Sequence, residues 1–281
     1  MIKSSSRINK LVSECLAIEA ESAKASGMLA YMARAMVMAT LPHSKPTGNV
    51  FQRSNGDYTL TMIANPLFGL PYGSLPRLIL AWMTREAIIK KSPQLYLGKS
   101  FSAFLSKLNL SKNGGTRGDA NRLREQMLKL FTTQISCVYQ NKKIGLCKAE
   151  QFTVTRSFEL WWQPVRTGVT QNLHKSMIIL AEDFFAELIN RPVPVDFRML
   201  QALRRSPLQI DIYVWLTYRF SYLKKSSLIP WNLLSNQFGS NYANSPQGLR
   251  DFKREFLKAL HVVTVMYEGT NVVIEEDGIV L

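Results

Sequence analysis

A pattern of helix, strand, helix and basic helix occurs twice in this sequence, and it limits the possible folds more than any other feature. The first copy runs from Trp82-Met-Thr84 to the basic amphipathic segment 119–131, and the second from Trp215-Leu-Thr217 to the basic segment 247–260. In each copy a short apolar strand and a small helix lie between these landmarks, and a strand pair follows the basic helix. This order predicts an α+β fold of tandem winged helix-turn-helix domains, an architecture that binds DNA.

The charge agrees with a polyanionic partner. The 281 residues include 35 Lys and Arg against 20 Asp and Glu, a net charge of +15. Such an excess favours contact with nucleic acid phosphates. Because 46% of the residues are hydrophobic, the chain is long and apolar enough for packed cores and is not a disordered basic tail.

Two prolines indicate where the chain divides. Pro192 and Pro194 remove backbone donors and stiffen the path, which predicts a break in regular structure. We therefore expect a first winged-helix domain over 51–190, for dimerisation and DNA contact, and a second, DNA-binding one over 195–281. Residues 1–50 are expected to be an N-terminal helical segment, since Leu29, Met32 and other apolar residues recur at helical spacing.

Strand pairs are expected after each basic helix. In the first copy, wing strands are expected over 134–139 and 152–162, and in the second of these segments apolar residues alternate with polar ones. The segments 261–267 and 271–281 are expected to pair in the second copy, turned by Glu268-Gly-Thr270.

A helical wheel separates a buried and an exposed face on both basic helices. On the first, the wheel buries Ala120, Leu123, Met127, Leu130 and Phe131. It turns Asn121, Arg122, Glu125 and Lys129 outward and leaves Arg124 at the edge. On the second, it buries Leu249, Phe252, Phe256 and Leu260. It exposes Gln247, Arg250, Asp251, Arg254 and Lys258.

These exposed side chains have the chemistry that reads a major groove. Arg and Lys pair with guanine or phosphate, and Asn and Gln pair with adenine. Glycines or polar residues precede each helix, where free backbone N–H groups attract phosphate oxygens. The predicted DNA contacts are Gly114, Gly115, Arg117, Asn121, Arg122, Arg124 and Lys129 in the first copy, and Asn244, Gln247, Arg250, Arg254 and Lys258 in the second.

Motifs for enzymatic chemistry are missing from the sequence. His43, His174 and His261 are far apart and form no metal-binding pair, and no G-x-S-x-G nucleophile motif occurs. Gly98-Lys-Ser100 lacks the leading glycine of a phosphate-binding loop, because Pro93 occupies that position. We expect a protein without catalytic residues, cofactor or metal.

The cysteines and the N-terminus favour a cytoplasmic protein. Cys15, Cys137 and Cys147 are odd in number and form no C-x-x-C motif, which argues against a disulfide framework or a zinc site. No secretion signal opens the chain, and no apolar stretch reaches the roughly 20 residues of a membrane span.

Several motifs resemble those of the plasmid-encoded RepA replication initiator proteins. They are Leu41-Pro-His43, Asn55-Gly-Asp57, Leu70-Pro-Tyr-Gly-Ser-Leu-Pro-Arg-Leu78, Ala81-Trp82, Leu97-Gly98, Gly114-Gly115 and Arg122-Leu-Arg-Glu-Gln-Met127. The resemblance is close and ordered from Tyr31 to Phe131 and looser to Ile189. Beyond that point the chain fits by the order of its elements alone.

The resemblance implies an initiator that binds repeated sites, called iterons, in double-stranded plasmid origin DNA. It further implies opening of an adjacent AT-rich stretch, recruitment of host replication proteins such as the helicase and initiator, and a homodimer in equilibrium with monomer that represses its own gene. It labels no base-reading residues in the second domain, so those rest on the wheel alone.

Two other functions remain open from the residues. A winged-helix transcriptional repressor would share the fold and bind a two-fold operator. A nicking rolling-circle initiator would be an enzyme that acts through a tyrosine and needs a metal-binding histidine pair, which the sequence lacks.

Overall fold

The computed structural model describes residues 29–33, 40–112, 115, 118–141, 144–161, 176–190, 192–267 and 270–281. Within them the protein is a mixed α+β fold with antiparallel sheets, as the sequence predicts. No helix in these ranges combines the length and apolarity that a membrane crossing requires.

The first unit follows the predicted order and carries an additional sheet. It contains helices α1 (Ser74–Lys90), α2 (Phe101–Lys107) and α3 (Asp119–Thr132) and strands β4 (Gln94–Tyr96), β7 (Thr155–Glu159) and β8 (Met177–Leu180). These strands form a sheet of order β4-β8-β7. The additional sheet, of order β2-β3-β5-β6, consists of β2 (Val50–Asn55), β3 (Tyr58–Ile63), β5 (Gln134–Asn141) and β6 (Leu146–Thr153).

The second unit repeats this succession of elements without the strands of the additional sheet. Its helices are α6 (Pro207–Tyr222), α7 (Trp231–Phe238) and α8 (Pro246–Met266), and its strands are β10 (Leu228–Pro230), β11 (Val273–Ile274) and β12 (Gly278–Val280). The sheet order is β10-β12-β11. In both units, therefore, the first strand pairs with the third, and the third with the second.

The remaining elements join the two units. Helix α4 (Glu182–Asn190) is followed by β9 (Pro192–Asp196) and the short helix α5 (Phe197–Ala202). Strand β9 pairs with β1 (Leu29–Ala33) in a two-stranded antiparallel sheet. Helix α1 packs against α3 in its own unit and against α5 and α6. Both units therefore contribute to one continuous apolar core.

Two predictions of local secondary structure, one in the N-terminal part and one at Pro192 and Pro194, are wrong. Residues 29–33 form a strand rather than part of a helical segment, and 192–196 form its partner rather than a break in regular structure. Each sequence is ambiguous alone, and the pairing between distant strands decides the outcome. Pro192 and Pro194 are tolerated because a two-stranded sheet leaves β9 an unpaired edge. The rest of the predicted helical segment before residue 40 lies outside the described residues.

The predicted strand over 261–267 is also wrong. Residues 261–266 continue α8, although Val262, Val263 and Val265 have strand propensity. Val263 and Met266 extend the buried stripe of α8 by one more turn at helical spacing, and their burial outweighs the local preference.

The two wing strands predicted for the first unit lie in different sheets. Strand β5, at 134–141, pairs with β3 and β6, whereas β7, at 155–159, pairs with β8. Alternation shows which face of a strand is buried, but it does not identify the strand beside it. Residues 162–175, which include the end of the predicted second wing strand, lie outside the described residues.

Candidate nucleic-acid interface

Helix α8 presents the more complete basic face. Ser245 caps its N-terminus by accepting a hydrogen bond from the Gly248 N–H at 3.1 Å, and Pro246 occupies the first turn. Phe252, Phe256 and Leu260 are buried as the wheel predicts. Gln247, Arg250, Arg254 and Lys258 are exposed, so α8 places these four predicted contacts together along one surface.

Hydrogen bonds organise the start of this surface around Gln247. Arg250 Nη2 donates to Gln247 Oε1 at 2.8 Å, and Gln247 Nε2 donates to Asp251 Oδ2 at 3.1 Å. Arg254 then reaches the same carboxylate, with 3.0 Å between its Nη2 and Asp251 Oδ1. An amide and two guanidinium groups are thereby held in a row, as a base-reading surface requires.

Glu255 links the end of this row. Lys258 Nζ lies 2.9 Å from Glu255 Oε1, and Arg254 Nε lies 3.3 Å from the same oxygen. The hydrogen bond that Lys258 donates lowers the pKa of Glu255 below its ordinary value. The bond from Arg254 has the same effect to a lesser degree, and partial desolvation opposes both. Exposed ion pairs contribute little stability, so these cations can exchange a carboxylate for a phosphate at small cost.

Helix α3 offers a smaller polar face than the wheel predicts. Arg122 is exposed, with Asp119 as a loose partner at 3.8 Å. Arg124 is half-buried, with its guanidinium carbon 4.7 Å from the ring centroid of Phe101 and its Nη1 donating to Asn121 Oδ1 at 3.4 Å. Stacking on α2 fixes Arg124 at the edge of the surface.

The prediction that Lys129 faces outward is wrong. Only 5% of this residue is exposed. Its Nζ lies 2.6 Å from Glu125 Oε1 and 4.8 Å from the ring centroid of Tyr72, in the segment that precedes α1. Tyr72 is held there because its N–H donates to Gln126 Oε1 at 2.8 Å. A wheel treats a helix alone, and it cannot show that another segment covers this face.

The loop residues predicted to contact phosphates are only partly described. Gly115 is exposed, and its carbonyl accepts hydrogen bonds from Gly118 N–H at 2.7 Å and Asn121 Nδ2 at 3.2 Å. Gly114 and Arg117 lie outside the described residues. Asn244, before α8, is exposed and lines a cleft between the two units.

A buried charged cluster, which the sequence did not predict, joins the two units behind these surfaces. Arg77 of α1 is 1% exposed and donates from Nε and Nη2 to the two carboxylate oxygens of Asp211 of α6, each at 2.6 Å. Its remaining donors reach the Gly73 carbonyl at 2.6 Å and the Leu41 carbonyl at 2.7 Å. His43 completes the cluster, with 2.8 Å between its Nε2 and Asp211 Oδ2.

The protonation states in this cluster follow from burial and charge together. Burial opposes ionisation of Asp211, but the charge and hydrogen bonds of Arg77, with a further bond from His43, hold the pKa of Asp211 below its ordinary value. For His43, desolvation outweighs the attraction of Asp211, and its pKa is lowered. The neutral His43 ring carries its proton on Nε2 and donates it to Asp211.

We expect His43 to make stability depend on pH below about 6.5, the pKa of a free histidine. Because its folded pKa is lower, the unfolded chain takes up the proton first, and stability falls as the pH decreases from about 6.5 towards the folded pKa. Urea unfolding of the wild type at pH 7 and pH 5 is expected to show this loss, at most about 1.4 kcal/mol per pH unit for one proton.

The matched variant is His43→Gln, which keeps a donor but cannot be protonated. This variant is expected to make the free energy of unfolding depend less on pH between pH 7 and pH 5, while His174 and His261 remain in both proteins. An equally steep dependence in the variant would show that His43 is not its origin.

One motif of the cluster is visible in the sequence, although its role is not. Arg77 lies within Leu70-Pro-Tyr-Gly-Ser-Leu-Pro-Arg-Leu78, and His43 within Leu41-Pro-His43. Their shared partner Asp211 is more than a hundred residues away from both. No local pattern distinguishes it from an exposed carboxylate.

Comparison with known proteins identifies the family. The sequence profile described as plasmid encoded RepA protein matches residues 70–232, more than half of the chain. The match covers α1 to α6 and ends at the start of α7, before α8. The comparison with curated proteins gives no match. This chain therefore belongs to the family of plasmid-encoded RepA proteins, which implies a role in the initiation of plasmid replication.

Proposed function

We propose that this protein initiates plasmid replication by binding repeated sites in double-stranded origin DNA sequence-specifically. The observation that carries the proposal is the repetition of one unit, in which the last helix bears an exposed basic and amide surface. In the second unit this surface consists of Gln247, Arg250, Arg254 and Lys258. In the first unit it is smaller, because only Arg122 is exposed, with Asn121 and Arg124 half-buried beside it.

The strand order supports two winged-helix domains. Apart from β5 and β6, which follow α3, each unit runs helix, strand, helix, helix, strand, strand, and the first of these strands pairs with the third. We infer that α3 and α8 are the recognition helices, because the last helix of such a unit enters the major groove. On this interpretation β5 and β6 are an insertion into the first domain, and they pair with β2 and β3, which precede it, to form the additional sheet.

The buried cluster supports joint rather than separate use of the two units. Arg77 and Asp211 tie α1 to α6 by two short hydrogen bonds, which limits relative rotation of the units. Two recognition helices held in one orientation favour a site read over successive major grooves. Since their exposed side chains differ, the two halves of that site differ in sequence, and the site has a direction.

The remaining roles rest on the family and are part of the proposal. We propose that the protein has no catalytic role and acts in the bacterial cytoplasm. There it opens an adjacent AT-rich stretch, recruits the host helicase and initiator, and represses its own gene as a dimer that exchanges with monomer. The net charge of +15 supports binding to the origin, because each phosphate neutralised releases counterions.

Hydroxyl-radical footprinting on the DNA that flanks the gene tests this proposal. We expect one molecule to protect two successive turns, on the order of 20 base pairs, in copies arranged as direct repeats. Arg250→Ala is expected to weaken the specific complex by about tenfold to a hundredfold, as loss of a base contact does, and to change protection in one half of the site only.

Lys90→Ala is the control, because Lys90 is an exposed lysine at the end of α1 that is not among the proposed base-reading residues. It is expected to leave the footprint unchanged. One protected turn per molecule with two-fold symmetry would instead identify a repressor that binds a palindromic operator, and the initiator proposal would fail.

A further inference from the structure

A cleft of about 1140 Å³ lies between the two units, beside the start of α8. One wall is β2 with the segment that precedes it, residues 42–54. The other wall is formed by α7, the loop after it and the first turn of α8, residues 232–249. The predicted DNA contact Asn244 lies on this second wall.

The cleft lining has the chemistry of an anion site. Among the described residues that line it none is acidic, whereas Lys45 and Arg53 are cationic. The opposite wall is rich in amides and hydroxyls, including Asn232, Asn236 and Ser240. Such side chains donate hydrogen bonds readily to phosphate oxygens.

Arg53 is the most informative of these residues. It is 8% exposed, and neither its Nε nor its Nη2 has a hydrogen-bond partner among the described residues. Desolvation lowers its pKa to about 10, so the guanidinium still carries its charge at neutral pH. A buried guanidinium N–H without an acceptor is energetically costly, and native proteins rarely leave such a donor without a hydrogen bond.

The nearest compensating charge is already engaged. Asp211 attracts Arg53 electrostatically. Both of its oxygens, however, accept hydrogen bonds from Arg77, and Oδ2 also contacts His43. Arg53 therefore has a favourable field but no acceptor among the described residues for two of its donor atoms. These two atoms have almost no accessible surface in this conformation, so an anion in the cleft accepts their hydrogen bonds once the guanidinium turns towards it.

The start of α8 adds to the same field. This helix has 21 residues, and its first residue, Pro246, lines the cleft. The N-terminal end of a helix carries partial positive charge and favours anions. An unpartnered buried guanidinium and a long helix N-terminus therefore meet in one cleft that has no acidic lining residue in the described chain.

We propose that this cleft binds a phosphate group, with Arg53 as its principal ligand and Lys45 at its rim. The phosphate belongs either to the DNA backbone or to a free nucleotide. The DNA source rests on the proposed function, whereas the nucleotide source does not. In the DNA case, a backbone phosphate held beside Asn244 fixes the position of α8 next to the bases that Gln247 and Arg250 read.

Thermal unfolding of the full chain tests phosphate binding without DNA. Inorganic phosphate is titrated against chloride at constant ionic strength, and the wild type is expected to gain thermal stability with phosphate concentration. Arg53→Gln is expected to weaken phosphate binding by about tenfold or more, because a charged hydrogen-bonding partner is lost. The control Arg156→Gln removes an exposed arginine of β7, which is not part of the cleft lining, and is expected to respond as the wild type does.

Lys45→Gln provides a second variant if Arg53→Gln does not fold. Lys45 is exposed at the cleft, so its substitution leaves the core intact and is expected to weaken phosphate binding several-fold. Equal stabilisation of the wild type and both variants would place the anion elsewhere and overturn the proposal. No phosphate-dependent stabilisation of the wild type, combined with an unchanged DNA salt slope in Arg53→Gln, would overturn it as well.

Two further arms identify the source of the phosphate. If it is a DNA phosphate, Arg53→Gln lowers the slope of log affinity against log salt for a random duplex by about 0.9, the value of one phosphate contact. If it is a nucleotide, ATP stabilises the wild type more strongly than inorganic phosphate does, and the slope is unchanged. Failure of footprinting with intact phosphate stabilisation would reject the initiator proposal and keep this site.

Discussion

Replacing Arg77 with methionine is expected to lower the free energy of unfolding by about 3 to 5 kcal/mol, the cost of leaving a buried charge without its partner. Arg77 is 1% exposed and makes two hydrogen bonds of 2.6 Å to Asp211. Methionine fills similar space but leaves Asp211 with His43 alone and removes donors from the Gly73 and Leu41 carbonyls. Urea unfolding of the full chain at pH 7 measures the loss.

The matched control removes an arginine from an exposed ion pair. Arg156 Nη1 lies 3.4 Å from Glu182 Oε1, and the two side chains are 70% and 86% exposed. Arg156→Met is expected to cost less than about 1 kcal/mol, since solvent screens such a pair. The double variant Arg77→Met/Asp211→Leu is expected to recover part of the loss, because neither member of the pair remains as a buried charge, although Arg53 loses the attraction of Asp211. A similar small cost for Arg77→Met and Arg156→Met would show that the cluster does not hold the two units together.

Local sequence signals are sufficient where an element is determined by its own residues. The predicted buried stripe of α3 is confirmed, and the Asn55-Gly56 turn between β2 and β3 and the Ser100 cap of α2 are set by their own residues in the same way. In each case the turn residue, the capping hydroxyl or the helical spacing of apolar residues acts within a few residues. The match to plasmid-encoded RepA proteins also confirms the resemblance inferred from the motifs.

The predictions that failed concern residues whose partners are distant in the chain. Residues 29–33 become a strand only because 192–196 lie beside them. Lys129 is buried only because Tyr72 covers it. The partner of a side chain is a property of the packed structure, so neither periodicity nor composition reveals it.

The residues of the candidate interface also differ in whether their local sequence or a distant partner determines their role. Exposure of the α8 residues was predictable, because it follows from the helical period of Phe252, Phe256 and Leu260. Arg53 was not predicted as a site residue, because in the sequence it is one of four consecutive polar residues at the end of β2. Its significance depends on the cleft, which exists only when β2 and α7 pack together.

Gly248→Ala is expected to lower the free energy of unfolding by about 1 to 3 kcal/mol, although alanine is the better helix former. Helix propensity alone favours alanine by about 1 kcal/mol. A Cβ at position 248, however, would overlap the backbone carbonyl of Ala243, and a backbone atom cannot turn aside as a side chain does. Displacing this carbonyl opens the loop before α8, at a cost of about 1 to 3 kcal/mol. It also breaks the Ser245 cap, at a cost of about 1 kcal/mol, so the two costs together exceed the gain in helix propensity.

Ser245→Ala separates the cap from the overlap. It removes only the hydrogen bond to the Gly248 N–H, and it is expected to cost about 1 kcal/mol, less than Gly248→Ala. Urea unfolding of both variants at pH 7 compares the two costs. If Gly248→Ala were instead more stable than the wild type, helix propensity would govern this position, and the close packing of the loop on α8 would be wrong. With the expected order, the backbone of Ala243 and the first turn of α8 form one rigid unit, and this contact fixes Asn244 beside Gln247 on the proposed reading surface.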